Sequence, residues 1–204
     1  MPFPPLILAS QSPRRRLLLK QIGLRFSVRP SAVPERFAGA HSPAQNAKRI
    51  ALEKARDVAS RVRRGIVVGA DTIVVVDHRI LGKPRSREEA KRMLRLLSGR
   101  EHVVYTAFAL VDAASRRHVV HVEKTRVRFR ALGTREIENY VRSGSPMDKA
   151  GAYGIQDDYG AVFVERVAGC FYNVVGFPLA QFYITLQKFL RNLNQQFKKN
   201  HKET

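Results

Sequence analysis

Residues 66–76, IVVGADTIVVV, constrain the fold more than any other stretch of this 204-residue chain. Apart from Asp71 and Thr72 the run is apolar throughout and does not alternate, which is the pattern of a strand covered on both faces. A strand of that kind needs helices on either side of its sheet, so the class is α/β, with a mixed, twisted sheet flanked by helices. Asp71 breaks the pattern. A carboxylate inside such a run must be hydrogen-bonded, ion-paired, metal-bound or protonated, and the alternative to a functional role is a structural aspartate capping a turn. Gly69, two positions earlier, lets another backbone or a ligand come close.

The remaining segments fit that class. Residues 5–9 read as a buried first strand, and Ser12 with Pro13 supplies a cap and a first helical position directly after it. A second strand is expected at residues 25–28 and a loop at 30–41. Ser42, Pro43 and Gln45 open a helix running to about residue 62. Asp77, His78 and Arg79 form a hairpin turn into residues 80–82. Ser86 and Glu89 start a helix that ends near Gly99. Long strands follow at 102–111 and 118–129, then a helix at 134–143, a glycine-rich loop at 144–160, strands at 162–167 and 171–174, and a last helix from Pro178. The length suits one domain, placed at residues 1–194, followed by a frayed basic tail at 195–204.

The apolar runs are strand-sized, short of the roughly 18 residues that a membrane helix needs. In the opening segment the positive charges follow the apolar centre, the reverse of a signal peptide, and the one cysteine, Cys170, cannot form an internal disulfide. These features predict a cytoplasmic protein. Charge is the unusual quantity: 37 Lys and Arg against 17 Asp and Glu leave +20, which predicts an anionic partner or substrate. The phosphate loop of kinase-like enzymes, the HExxH zinc signature and the GxSxG elbow are all missing.

Two further placements conflict with local rules. Arg14, Arg15 and Arg16 occupy the first turn of a helix, where the dipole disfavours cations unless an anion binds; free N–H groups and guanidinium forks there make a phosphate site, and the alternative is a solvated basic face. Lys54 falls on the inward stripe of the helix that begins at Ser42, so it either snorkels or meets an anion at a cleft edge.

Several runs resemble, in order, the motifs of the Maf nucleotide pyrophosphatases: LILASQSPRRRLLL from Leu6, ALEKA from Ala51, GADT from Gly69 with LGKP from Leu81, LSGR from Leu97 with His102 and Thr106, DKAGAYGIQ from Asp148, and YNVVGFPL from Tyr172. The resemblance covers nearly the whole chain. It implies a fold like that of inosine triphosphatase with a deep central cleft, a divalent cation (Mg²⁺ or Mn²⁺), a homodimer, and hydrolysis of a nucleoside triphosphate to the monophosphate and pyrophosphate. By the same resemblance Asp71, Lys54 and Lys83 are catalytic, and Ser10, Arg14, Arg15, Thr72 and Gln156 bind substrate. Glu35 and Asp71 are metal-ligand candidates, with Asp71 either ligand, base or both. Arg14, Thr72 and Gln156 match the branch that acts on dTTP and UTP, and a glutamine amide, which both donates and accepts, suits the uracil or thymine edge. The rival reading is a basic nucleic-acid-binding protein without catalysis, motivated by the charge and by Lys198, Lys199 and Lys202; a third is a phosphotransferase or phosphatase using the same anion cleft.

Overall fold

The computed structural model describes residues 4–156 and 158–200. Strands β1 (Leu6–Leu8), β2 (Phe26–Val28), β3 (Ile66–Val76), β4 (Arg79–Leu81), β5 (Glu101–Asp112), β6 (His118–Phe129) and β7 (Val164–Ala168) form one sheet. Its order is β2-β1-β3-β5-β6-β7, with β4 paired to β3 outside that path. β1 is parallel to both β2 and β3, and all other pairs are antiparallel. The helices are α1 (Pro13–Gln21), α2 (Pro43–Ala59), α3 (Arg87–Leu97), α4 (Thr134–Arg142), α5 (Phe171–Val175) and α6 (Leu179–Asn200). Among the described residues no helix is long and apolar enough to cross a membrane.

Both faces of the sheet are covered, as the run around Asp71 demands. One face packs Leu18 and Leu19 of α1, Leu94 and Leu97 of α3, Ile137 and Val141 of α4 and Phe182 of α6 against Val68, Phe108 and Val127. On the other face Ala47, Ala51, Ala55 and Val58 of α2 lie on Val67, Ile73, Ala107 and Ala109. That second layer is built from small side chains because α2 lies almost on the strand. A Cβ added at Gly69 would sit 2.2 Å from the Ala51 carbonyl oxygen and 2.7 Å from the Ala55 nitrogen. The open space at Gly69 is thus filled by helix backbone. The Asp77-His78 turn has φ of 45° and 61°, the two positive values of a two-residue hairpin turn that matches strand twist.

The structure corrects three local expectations. Residues 171–174, expected as a strand, form α5, because the fully buried Asn173 bonds through its side chain to the Val104 carbonyl and Thr125; these tertiary contacts override the β preference of the aromatic and branched residues. The loop at 144–160 contains 3₁₀ turns at Ser145–Asp148 and Ala150–Ala152, with a third at Asp158–Phe163. The helix that begins at Leu179 runs to Asn200, through six residues expected to fray; no glycine or proline interrupts it, and residues 201–204 lie outside the described ones.

One break in the sheet decides where a ligand can enter. β1 ends at Leu8, opposite Val68, whereas β4 begins its pairing with Leu81 opposite Val74. On this side β3 therefore has no strand neighbour between residues 69 and 73. The break lies at the carboxyl end of β1, where the chain leaves toward α1 on one face and returns through α2 on the other, the position at which open α/β sheets bind ligands.

Candidate active site

A cavity of about 600 Å³ opens at this break. All nine residues given a catalytic, substrate-binding or metal role line it: Ser10, Arg14, Arg15, Glu35, Lys54, Asp71, Thr72, Lys83 and Gln156; Arg16, the third arginine of the first turn, does not. Three of them, Ser10, Arg14 and Arg15, arrive from the turn after β1 and from α1, since the Ser12 hydroxyl accepts from the Arg15 amide and starts the helix at the cavity edge. Asp71 and Thr72 are consecutive on β3, so their side chains leave on opposite faces.

On the α2 side Asp71 is 3% exposed. Its Oδ1 accepts from Lys54 Nζ at 2.8 Å, while Oδ2 is buried with no hydrogen-bond partner. Lys54 reaches the Glu35 carboxylate at 2.8 Å, and Lys83 binds both Glu35 oxygens at 2.9 and 3.0 Å. The lysine on the inward stripe of α2 thus joins two carboxylates, which resolves the conflict seen in the sequence. Burial pushes the Asp71 pKa above the ordinary aspartate range; Lys54 opposes that and Glu35 adds to it. For Glu35 burial also pulls upward, but the two lysines outweigh it and hold the carboxyl at about 2.

Arg15 lies on the other face, 8% exposed. Its Nε donates to the Gly176 carbonyl, Nη1 to the Ala70 carbonyl and to Ser10 Oγ, and Nη2 to Thr72 Oγ1, at 3.0 to 3.1 Å. Four of its five N–H bonds are therefore committed to protein acceptors. The Ala70 carbonyl, which a neighbouring strand would normally hold, is shared with Lys54 at 3.4 Å. Burial lowers the Arg15 pKa, against the pull of Asp71 and Glu35, yet the guanidinium stays charged. Arg14 extends over the cavity mouth, donating to the Asp148 carboxylate at 2.7 Å and its carbonyl at 3.1 Å.

Sequence reasoning assigned no role to Asp148 or Lys149, which also line the cavity. Both stood in the DKAGAYGIQ run, but nothing local marked them. Lys149, though buried, donates to Asp148 at 2.9 Å and to the Ser145 carbonyl at 2.6 Å. Tyr153, from the same run, lines the cavity, and its hydroxyl lies 2.8 Å from Nε2 of the buried His102. Burial alone lowers His102 to about 3, so its imidazole is neutral.

Among the described residues, five cations (Arg14, Arg15, Lys54, Lys83, Lys149) and three carboxylates (Glu35, Asp71, Asp148) face this space. The fold and the site define an α/β protein built to receive a polyanion beside one unpartnered carboxylate oxygen. Comparison with known proteins specifies the family. A family model described as Maf-like protein matches residues 5–189. The dTTP/UTP pyrophosphatase of Pelotomaculum thermopropionicum is 48% identical over 188 residues, covering 92% of this chain and 98% of the relative. That of Symbiobacterium thermophilum is 52% identical over 174 residues, covering 85% and 88%, and that of Salinibacter ruber 47% over 189, covering 93% of each. The chain belongs to the Maf family.

Proposed function

We propose that this chain hydrolyses nucleoside triphosphates, dTTP and UTP foremost, to the monophosphate and pyrophosphate. The observation that carries the reading is Asp71: a buried carboxylate with one oxygen held by Lys54 and the other unpartnered, at the break in the sheet and inside a cation-lined cavity.

In this reading Asp71 Oδ2 orients a water and takes its proton as the water oxygen bonds to the α phosphorus. The bond from that phosphorus to the α–β bridging oxygen breaks, and pyrophosphate leaves. A raised pKa favours the role, because a base works best when its pKa lies near the operating pH. Lys54 holds Asp71 in place, while Lys83 and Arg14 neutralise phosphate charge, each well-placed donor lowering the barrier by roughly 3 kcal/mol. Lys83 is half exposed and can exchange Glu35 for a phosphate oxygen. Gln156 donates its amide to a ring carbonyl of the pyrimidine.

A divalent cation fits the donor set. Among the described residues no three metal-ligating side chains converge, so the protein ligands are limited to Asp71 Oδ2, a buried oxygen without a partner, and the Glu35 carboxylate. Two carboxylates suit Mg²⁺ or Mn²⁺, which complete their shells with water and substrate phosphates. Bound there, the ion would supply Lewis-acid charge stabilisation at the phosphates. The family resemblance adds a homodimer and a cytoplasmic location to this proposal, and sedimentation velocity tests the first.

The decisive assay is incubation with dTTP, UTP, CTP and GTP plus Mg²⁺, with products identified by ³¹P NMR. Pyrophosphate from dTTP and UTP is the expected result. Orthophosphate would point to a phosphatase, and absence of turnover with tight, salt-sensitive nucleic-acid binding would favour the non-catalytic reading.

A further inference from the structure

The face of β3 opposite Asp71 carries a hydrogen-bond chain whose direction the geometry fixes. Thr106 Oγ1 lies 2.8 Å from the Asn173 carbonyl. A carbonyl has no proton to give, so the Thr106 proton goes there. Thr72 Oγ1 lies 3.0 Å from Thr106 Oγ1; with the Thr106 proton committed, Thr72 is the donor. Thr72 in turn accepts from Arg15 Nη2 at 3.1 Å, since a guanidinium only donates. The chain therefore runs from Arg15 to Thr72 to Thr106 to the Asn173 carbonyl. Thr106 and Asn173 are 0% exposed, which leaves water no place to offer Thr106 another partner.

The two hydroxyls that line the cavity beside Arg15 acquire opposite characters. Ser10 Oγ accepts from the Ser12 amide at 3.2 Å and from Arg15 Nη1 at 3.1 Å. Both its lone pairs are filled, and its proton is what it can offer. Thr72 has given its proton to Thr106 and retains one lone pair. Phosphate oxygens accept and never donate, so they suit Ser10 and are turned away by Thr72. A ligand group bearing an N–H suits Thr72.

We propose that Thr106, acting through Thr72, is a specificity-positioning residue: it holds the Thr72 hydroxyl as a pure acceptor that takes the ring N3–H of uracil or thymine and refuses the bare N3 of cytosine. The inference rests on the pyrophosphatase reading above. It assigns the discrimination to a buried residue that never touches the nucleotide.

The test compares kcat/KM for UTP and CTP, read as pyrophosphate release, in wild type and in the Thr106→Val, Thr106→Ala and Thr106→Ser variants. Valine keeps the volume but removes the hydroxyl, freeing the Thr72 proton to turn toward the cavity and donate to cytosine N3. The UTP-over-CTP preference should fall about tenfold, the scale of one hydrogen bond, while Thr106→Ser keeps the wild-type ratio. Alanine gives the same readout if near-UV circular dichroism shows the valine variant unfolded. An equal loss on both nucleotides, or a serine variant that behaves like valine, overturns the positioning role and leaves the pyrophosphatase reading standing. Failure of the wild type to release pyrophosphate from UTP overturns both.

Discussion

Lys54 is 7% exposed and reaches two carboxylates, Glu35 at 2.8 Å and Asp71 at 2.8 Å. That shared ammonium divides the labour between them, since Glu35 has a second cation in Lys83 and Asp71 does not. Asp71→Asn keeps the shape and removes the base; turnover should drop by about 10²–10⁴-fold with an unchanged circular dichroism spectrum. In the wild type the acid limb of the kcat/KM profile should lie above the ordinary aspartate range, because activity falls as pH drops through the raised Asp71 pKa. A limb near pH 4 or below would count against Asp71 as the base. Glu35 shows the opposite sign in stability. Its pKa falls from 4.5 to about 2 on folding, so its contribution is complete above about pH 4.5 and is lost as pH falls toward 2. Urea unfolding at pH 6 and pH 3 should show wild type losing about 1 kcal/mol more than Glu35→Gln, a figure reduced for the solvent screening of a partly exposed pair.

At the scale of elements, the contact between α2 and β3 sets the Lys54–Asp71 distance, and Gly69 permits that contact. Gly69→Ala would drive a methyl into the Ala51 carbonyl and the Ala55 nitrogen, lifting the helix and its lysine from the strand. Overpacking of this kind costs about 1–3 kcal/mol, so the midpoint of urea unfolding should fall and turnover with it; a variant with unaltered stability and activity would refute the coupling. The sequence signalled both elements clearly. The apolar run interrupted only at Asp71 and Thr72 marked a doubly covered strand, and the inward lysine on α2 pointed to snorkelling or to an anion at a cleft edge, of which the structure shows the second. Helix α5 was illegible because its cause lies in Asn173 bonding to residues 48 and 69 positions away. Lys149 escaped notice for a similar reason, since its burial comes from the packing of the 3₁₀ turns rather than from any local periodicity. The direction of the Thr72 chain requires distances and was beyond reach of any pattern.

Across the whole molecule the +20 charge makes a long-range field that draws anions toward a cavity which itself holds five cations and three carboxylates. Raising salt from 0.05 to about 0.5 M shortens the screening length from above 10 Å to a few ångströms, so KM for dTTP should rise severalfold in steady-state assays while kcat changes little. A KM independent of salt would deny the charge a part in capture. The break between β1 and β4 leads further. Ile66 donates to Pro5 and Val68 accepts from Ala9 across to the β1 side, so by the two-residue alternation of a strand the Ala70 and Thr72 amides also point that way, into the break. Deep in the sheet, between β1 and β5, these two amides should exchange with deuterium at the pace of an outermost strand, far ahead of the Asp71 amide directed at β5. Nucleotide filling the cavity should then slow them, which makes two backbone protons reporters of occupancy even in a variant that cannot turn over.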